Sequence, residues 1–154
     1  MTLTLYFYII AYIDEVFIMD TITKIFKEKK LKLTPQRLAV YKYLLTTKEH
    51  PSAEVIYKAI HSEYPTMSLA TIYKALKTLE EVGLIQELNV GEGNFRYDAN
   101  SMPHPHIQCI KCGRVDDIEK FLIENLNNQA SECCDYKILS NQVYFYGVCP
   151  ECQN

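Results

Sequence analysis

The chain has 154 residues, 48% of them apolar, and a formal net charge of −3, which allows one ordinary domain or two small ones and excludes a disordered protein. The charge is unevenly spread: residues 19–100 carry 12 Lys and Arg against 10 Asp and Glu, residues 101–154 carry 4 against 7, and residues 1–18 add two acidic groups. Local charge decides nucleic-acid contact more than the total does, so a DNA contact belongs to the mildly basic front half.

Residues 1–18 are apolar from Leu5 to Ile10 and from Val16 to Ile18, with Asp14 and Glu15 between. The run lacks a basic n-region and a small-residue cleavage site, and it is too short to span a membrane. The expectation is an upstream extension, with the protein proper starting at Met19 and working in the cytoplasm. Asp20 is placed to cap a first helix carrying Ile22, Ile25 and Phe26. Thr34 and Pro35 are a cap and a first helical position, followed by the stripe Leu38, Tyr41, Leu44 and Leu45. Ser52 caps a third helix with Val55, Ile56, Ala59 and Ile60 inward.

A fourth helix is expected from Ser68 to Gly83, with Gly83 as its stop. Leu69, Ile72, Leu76 and Leu79 form its apolar side, and Thr71, Lys74, Lys77 and Thr78 its wet side. Leu84 to Val90 and Asn94 to Asp98 read as two strands around Gly91-Glu92-Gly93. Together these describe a winged helix-turn-helix over residues 19–100. After Ser101-Met102-Pro103 the pattern becomes a small α/β unit over 101–154, giving an α+β chain. Its elements are strands within Ile107 to Ile118, a helix from Glu119 to Ala130, and a strand or two between Tyr136 and Val148.

Cys109-Ile-Lys-Cys112 and Cys149-Pro-Glu-Cys152 carry the clearest chemistry. Two residues between thiols let one tight turn present both sulfurs to one ion, and four thiolates complete a closed tetrahedral zinc site. Gly113 supplies the positive φ such a turn needs. Three disulfides of a secreted protein are the rival use of six cysteines, but the spacing is that of metal ligands in a reducing compartment. Cys133 and Cys134 lack that spacing and read as small, exposed residues.

His104-Pro-His106 places two imidazoles on one side of an extended segment, and Pro105 favours extended geometry at His104. Zinc already has four sulfurs, so these rings imply a second metal. Asp98 and Asp117 can add oxygens to it, or stand as solvated carboxylates at strand ends. Imidazole with carboxylate suits Fe(II), Mn(II) or Zn(II). Ser68, Thr71, Lys74 and Lys77 match base-edge and phosphate contacts of a recognition helix, or else a solvated face, and Tyr73 on the flank is placed to reach a thymine methyl or a phosphate, or else is core. Arg37, Lys29, Lys30 and Lys32 are candidate phosphate contacts. A zinc hydrolase would need a set such as His-Glu-x-x-His, which is absent. A thiol redox protein would need its Cys-x-x-Cys at a helix start after a strand.

These segments together resemble the ferric uptake regulator family of metal-dependent repressors. The resemblance runs from Met19 to the C-terminus. It rests on Leu33-Thr34-Pro35-Gln36-Arg37, His50-Pro51-Ser52-Ala53, Ser68 to Leu76, His104 to Gly113, and Tyr146 to Cys152. It implies an N-terminal winged helix and a C-terminal dimerisation domain, acting as a homodimer on a palindromic double-stranded DNA operator. Within the family the chain looks most like the peroxide-responsive branch. That likeness implies a regulatory Fe(II) or Mn(II) site at His50, Asp98, His104, His106 and Asp117, beside a structural Zn(II) on the four cysteines. Fe(II)-driven oxidation of His50 or His104 would then release the operator. An iron- or zinc-responsive repressor controlling metal uptake is the alternative. Pro105 and Lys74 depart from the commoner members, and His61 matches no ligand position.

Overall fold

Thr34, Ser52 and Ser68 each start a helix by accepting a backbone N–H three residues on, from Arg37, Val55 and Thr71. In the computed structural model, which describes residues 18–91, 93–118, 121 and 125–153, a helix α1 covers 18–28. It is followed by α2 Pro35–Leu45, α3 Ala53–Ile60 and α4 Leu69–Glu81. The end of α4 is fixed by two bonds: Gly83 N–H to the Glu80 carbonyl at 2.8 Å and Leu84 N–H to the Leu79 carbonyl at 3.0 Å. This paired closure requires a left-handed residue, and Gly83 at φ 77° supplies it.

Helices α2 and α3 pack on α4 and on each other. Their shared core joins Ile22 and Phe26 of α1 to Val40, Leu44, Ile56, Ile72, Leu76 and Leu79. Each such Leu or Ile contributes roughly 1.5–3 kcal/mol through burial. Several expected faces are corrected. Leu45 is 43% exposed and Val55 42%, because each sits about 100° around its helix from the buried neighbours Leu44 and Ile56. Ala59 is exposed as well. Thr78, expected on the wet side, is only 7% exposed; its hydroxyl donates to the Lys74 carbonyl at 3.0 Å, which removes the cost of burying it. Asp20 is not a cap, since the backbone is already helical at residue 18.

Strands β1 Gln86–Asn89 and β2 Phe95–Asp98 form an antiparallel hairpin with Gln86 opposite Asp98. They are shorter than the apolar runs suggested. The helices and this wing make the expected winged helix-turn-helix. A second sheet has the order β4-β3-β5, from β3 His106–Cys109, β4 Val115–Asp117 and β5 Tyr144–Gly147. β3 runs antiparallel to β4, with His106 opposite Asp117, and parallel to β5. Only Tyr144–Gly147 of the expected 136–148 region is a strand.

Two short helices complete the described residues, α5 Leu126–Glu132 and α6 Pro150–Gln153. The extension expected at 1–18, apart from residue 18, lies outside the described residues. So do Glu92 of the wing turn and positions 119, 120 and 122–124 of the helix expected over 119–130. Two side chains tie the second sheet to the wing: Gln108 Nε2 donates to the Val90 carbonyl at 3.1 Å and Gln142 Nε2 to the Glu87 carbonyl at 2.9 Å. No helix among the described residues is long and apolar enough to cross a membrane.

Candidate metal centres

His50, Asp98, His104, His106 and Asp117 converge, each offering one donor atom within 4.8 Å of all the others. They come from four places: the loop after α2, the end of β2, the approach to β3 with its first residue, and the end of β4. The antiparallel register that sets His106 opposite Asp117 closes one side, and the hairpin register that ends β2 at Asp98 closes the other. Asp117 Oδ1 lies 2.9 Å from Nε2 of both His50 and His104 and 3.4 Å from that of His106. Asp98 Oδ2 lies 3.2 Å from His104, 3.7 Å from His106 and 3.8 Å from His50.

The rings are aimed from behind. His50 Nδ1 donates to the Val115 carbonyl at 3.2 Å, and His104 Nδ1 to the Met102 carbonyl at 2.7 Å. A ring that donates from Nδ1 to a carbonyl keeps its Nε2 lone pair for a metal. Among the described residues His106 Nε2 is buried with no hydrogen-bond partner, an orphan that an ion at the centre would satisfy. Ligand atoms about 2.1 Å from one ion stand at most about 4.2 Å apart, so the five need only a slight contraction to hold one. The donor set therefore fits a divalent cation of the Fe, Mn or Zn type.

Electrostatics point the same way. Burial opposes ionisation of Asp98, but the His106 and His50 rings, the Asn100 N–H and the Gln86 amide hold its carboxyl well below the usual range. Burial likewise disfavours a charged His50, yet Asp98 and Asp117 outweigh it and raise its pKa. The site thus carries fixed negative charge that draws in a proton or a cation. His50 is also at φ 47°, left-handed and directly before Pro51, a geometry that stores about 1–3 kcal/mol. A cleft of about 510 Å³, lined by Leu44, Leu45, Asp98, His104, Asp117 and Phe121, opens onto the centre.

Cys109, Cys112, Cys149 and Cys152 form the second cluster, with sulfurs within 4.8 Å of one another and none in a disulfide. Tetrahedral sulfurs on zinc stand about 3.8 Å apart, and Cys112 and Cys149 are 3.7 Å apart. Gly113 at φ 75° turns the first knuckle, its N–H bonded to the Cys109 carbonyl at 2.8 Å. The N–H groups of Cys149 and Cys112 bring the Cys109 thiol down to about 6, while burial and its thiol neighbours push Cys149 up to about 12. Arg114 pairs with both Asp116 and Glu151 at 2.9 Å, and Lys111 Nζ donates to the Cys152 carbonyl at 2.7 Å, so the two knuckles are stapled together.

Of the residues expected to meet DNA, Thr71, Tyr73, Lys74 and Lys77 lie on α4 and Ser68 at its start, Arg37 lies on α2, and Lys29, Lys30 and Lys32 follow α1. Lys74, Lys77 and Tyr73 are exposed, and Ser68 caps the helix. Arg37 donates to the Lys32 carbonyl and faces the Phe26 ring, so it is partly engaged in the fold. His61 packs beside Tyr57 at the surface, away from both metal centres, and Cys133 and Cys134 are exposed. Sequence reasoning missed Gln86, which donates to Asp98 Oδ2 at 3.0 Å and to the Asn100 carbonyl at 2.7 Å. It also missed the Val115 carbonyl and Arg114. Strand register brings Gln86 and Val115 to the histidine and aspartate site, and Arg114 follows the first knuckle and reaches Glu151 of the second.

A profile of the ferric uptake regulator family matches residues 28–146. The transcriptional regulator PerR of Clostridium acetobutylicum is 70% identical over 136 residues, which cover 88% of this chain and 99% of that protein. The solved Campylobacter jejuni peroxide stress regulator superposes with a TM-score of 0.67 at 35% identity, covering 84% of this chain and 98% of that one. The Helicobacter pylori ferric uptake regulator, in which three functional metal-binding sites are described, superposes with a TM-score of 0.72 at 28% identity, over 89% and 92% of the two chains. The chain belongs to the ferric uptake regulator family.

Proposed function

We propose that the chain is a metal-dependent repressor that binds DNA and releases it when peroxide oxidises a ligand histidine. The observation that carries this reading is that the five donors come from both halves of the chain. His50 follows α2 of the winged helix, Asp98 ends the wing, and His104, His106 and Asp117 belong to the second sheet. Joined through one ion, they hold the two halves in one relative orientation. In a symmetric dimer that orientation sets the spacing of two recognition helices, which then meet successive major grooves of a palindromic operator. Occupancy of the site shifts the population toward the DNA-binding arrangement.

Residues 19–100 are assigned to DNA and 101–154 to zinc and the homodimer, in the cytoplasm, with residues 1–18 as an extension. Membership in a family of transcriptional regulators supports DNA and dimerisation in place of an enzymatic role. Exposed Ile110, Phe145 and Tyr146 supply apolar surface for the dimer contact in the second half. Zn(II) belongs to the four cysteines and Fe(II) or Mn(II) to the histidine and aspartate set. Arg37, Ser68, Thr71, Tyr73, Lys74 and Lys77 are the proposed DNA contacts.

A bound Fe(II) supplies the reductant for peroxide; Mn(II) serves the clamp without it. The cleft beside His104 and Asp117 admits the small oxidant. His50 or His104, once oxidised, is a poorer donor, and the strain already held at His50 favours its departure. The name of the Campylobacter relative, a peroxide stress regulator, supports the peroxide branch. The test is DNA binding by anaerobic protein loaded with Fe(II) or Mn(II), before and after stoichiometric peroxide, with peptide mass spectrometry. Release from the iron form alone, with one added oxygen on His50 or His104, is expected. Binding that survives peroxide with unmodified histidines overturns peroxide sensing in favour of an iron-responsive repressor.

A further inference from the structure

A notch of about 160 Å³ opens where α3, α4 and the wing meet, lined by Ser52, Glu54, Tyr73, Asn94 and Arg96 among others. Tyr73 projects into it from the middle of α4 and is 44% exposed, so its ring is not core. Its hydroxyl donates to Glu54 Oε1 at 2.6 Å, the short distance of a charge-assisted bond. Glu54 lies in the first turn of α3, where the helix end favours an anion. The Tyr73 phenol, the Ser52 hydroxyl and, more weakly, Arg96 keep its carboxyl below the usual range.

A carboxylate beside the recognition helix works against phosphate binding, so its place there calls for a role other than affinity. An untethered phenol on this helix would donate to any phosphate within reach, a contact that carries no sequence information. Tied to a carboxylate, the same phenol is unavailable to phosphate, and only its ring is left to meet base edges and thymine methyls.

Resting on the DNA-binding reading above, we propose that Glu54 is a positioning residue for sequence discrimination: it holds the Tyr73 hydroxyl so that the ring meets the bases at one fixed angle. The negative charge of Glu54 lowers affinity for all duplexes alike. The hydrogen bond it accepts sets the ratio between right and wrong sequences.

The test uses the full-length, Mn(II)-loaded protein and two duplexes, one selected by the wild type from a random-sequence pool and one a shuffled sequence of the same composition. Glu54→Ala is expected to lower the affinity ratio about fivefold or more, the loss of one discriminating contact. Glu54→Gln keeps an oxygen acceptor, so it restores most of the ratio while raising affinity for both duplexes. In a Tyr73→Phe background, Glu54→Ala changes the ratio no further. An unchanged ratio in Glu54→Ala, a glutamine variant no better than alanine, or additive effects of the two substitutions each overturn the proposal. Wild-type protein that binds both duplexes equally has no operator specificity, which overturns the repressor reading above and the proposal with it.

Discussion

The backbone carbonyl of Val115 takes the Nδ1 hydrogen of His50 at 3.2 Å, joining residues 65 apart in the chain. Val115 opens β4, and Asp117, which meets Nε2 of the same ring at 2.9 Å, closes it. Both nitrogens of His50 are therefore held by one three-residue strand of the second sheet. That imidazole latches the loop after α2 to the second sheet, while Gln108 and Gln142 tie the sheet to the wing, and the remaining donors converge on the same point.

Removing a ligand should separate the clamp from the fold. His50→Ala and Asp98→Ala are expected to weaken DNA binding at limiting Mn(II) at least about tenfold, with zinc content and dimerisation unchanged. Fluorescence anisotropy at buffered metal, with zinc analysis and sedimentation, checks this. Tight binding by either variant without added metal would count against the clamp.

Gln86 tests the layer behind the ligands. It donates to Asp98 Oδ2 at 3.0 Å across the hairpin register. Gln86→Ala leaves the ligand set intact and should weaken Mn(II) affinity about 10–100-fold, as loss of a ligand's own partner does elsewhere. Calorimetric titration of zinc-loaded protein measures it, and an unchanged affinity would remove Gln86 from the site.

The cysteine cluster should behave as a structural centre. Cys112→Ser, at the exposed corner of the four, is expected to lose zinc and lower the melting temperature of the second half. A strong chelator should do the same to the wild type. Retained stability after complete zinc removal, followed by circular dichroism, would deny the cluster that role.

Helix orientation makes a prediction about packing. Leu79 is fully buried on α4, and Leu79→Ala should cost about 2–5 kcal/mol. Leu45 is 43% exposed at the end of α2, and Leu45→Ala should stay within about 0.5 kcal/mol, the usual range for surface changes. Urea denaturation of the two variants decides it; equal losses would mean that α2 turns its other side inward.

Lys77 and Lys74 should differ in kind. Lys77→Ala is expected to weaken binding to every duplex similarly and to reduce the salt slope by about 1, as a phosphate contact does. Lys74→Ala should relax sequence preference by about 1–3 kcal/mol at one position. Titrations over a range of salt concentrations with selected and shuffled duplexes distinguish them, and a uniform loss for Lys74→Ala would make it a phosphate contact too.

Much of the site was legible because its chemistry is written in residue type and spacing. The two Cys-x-x-Cys pairs and the three caps Thr34, Ser52 and Ser68 need nothing beyond local sequence, and the structure places them as expected. The five donors, gathered through the family resemblance, also meet. The helix faces were less legible. Leu45 and Val55 are as apolar as their neighbours, and only packing against α4 selects Leu44 and Ile56. Thr78 looks solvent-facing until its bond to the Lys74 carbonyl is seen. The supports of the metal centre were not legible at all. A backbone carbonyl such as Val115 has no signature in side-chain identity, and Gln86 matters only because pairing sets it opposite Asp98.

Strand β3 carries His106 at its first position and Cys109 at its last, about 10 Å apart at the rise of an extended chain. The sulfur cluster anchors one end whatever happens at the other. On the proposed reading, a copy whose imidazole has been damaged keeps its fold and its capacity to pair. An undamaged partner paired with it then leaves the operator as well. If a fraction f of copies is intact, fully competent pairs number only f squared. One chemical event thus silences two subunits, and the response to an oxidant rises faster than the damage itself.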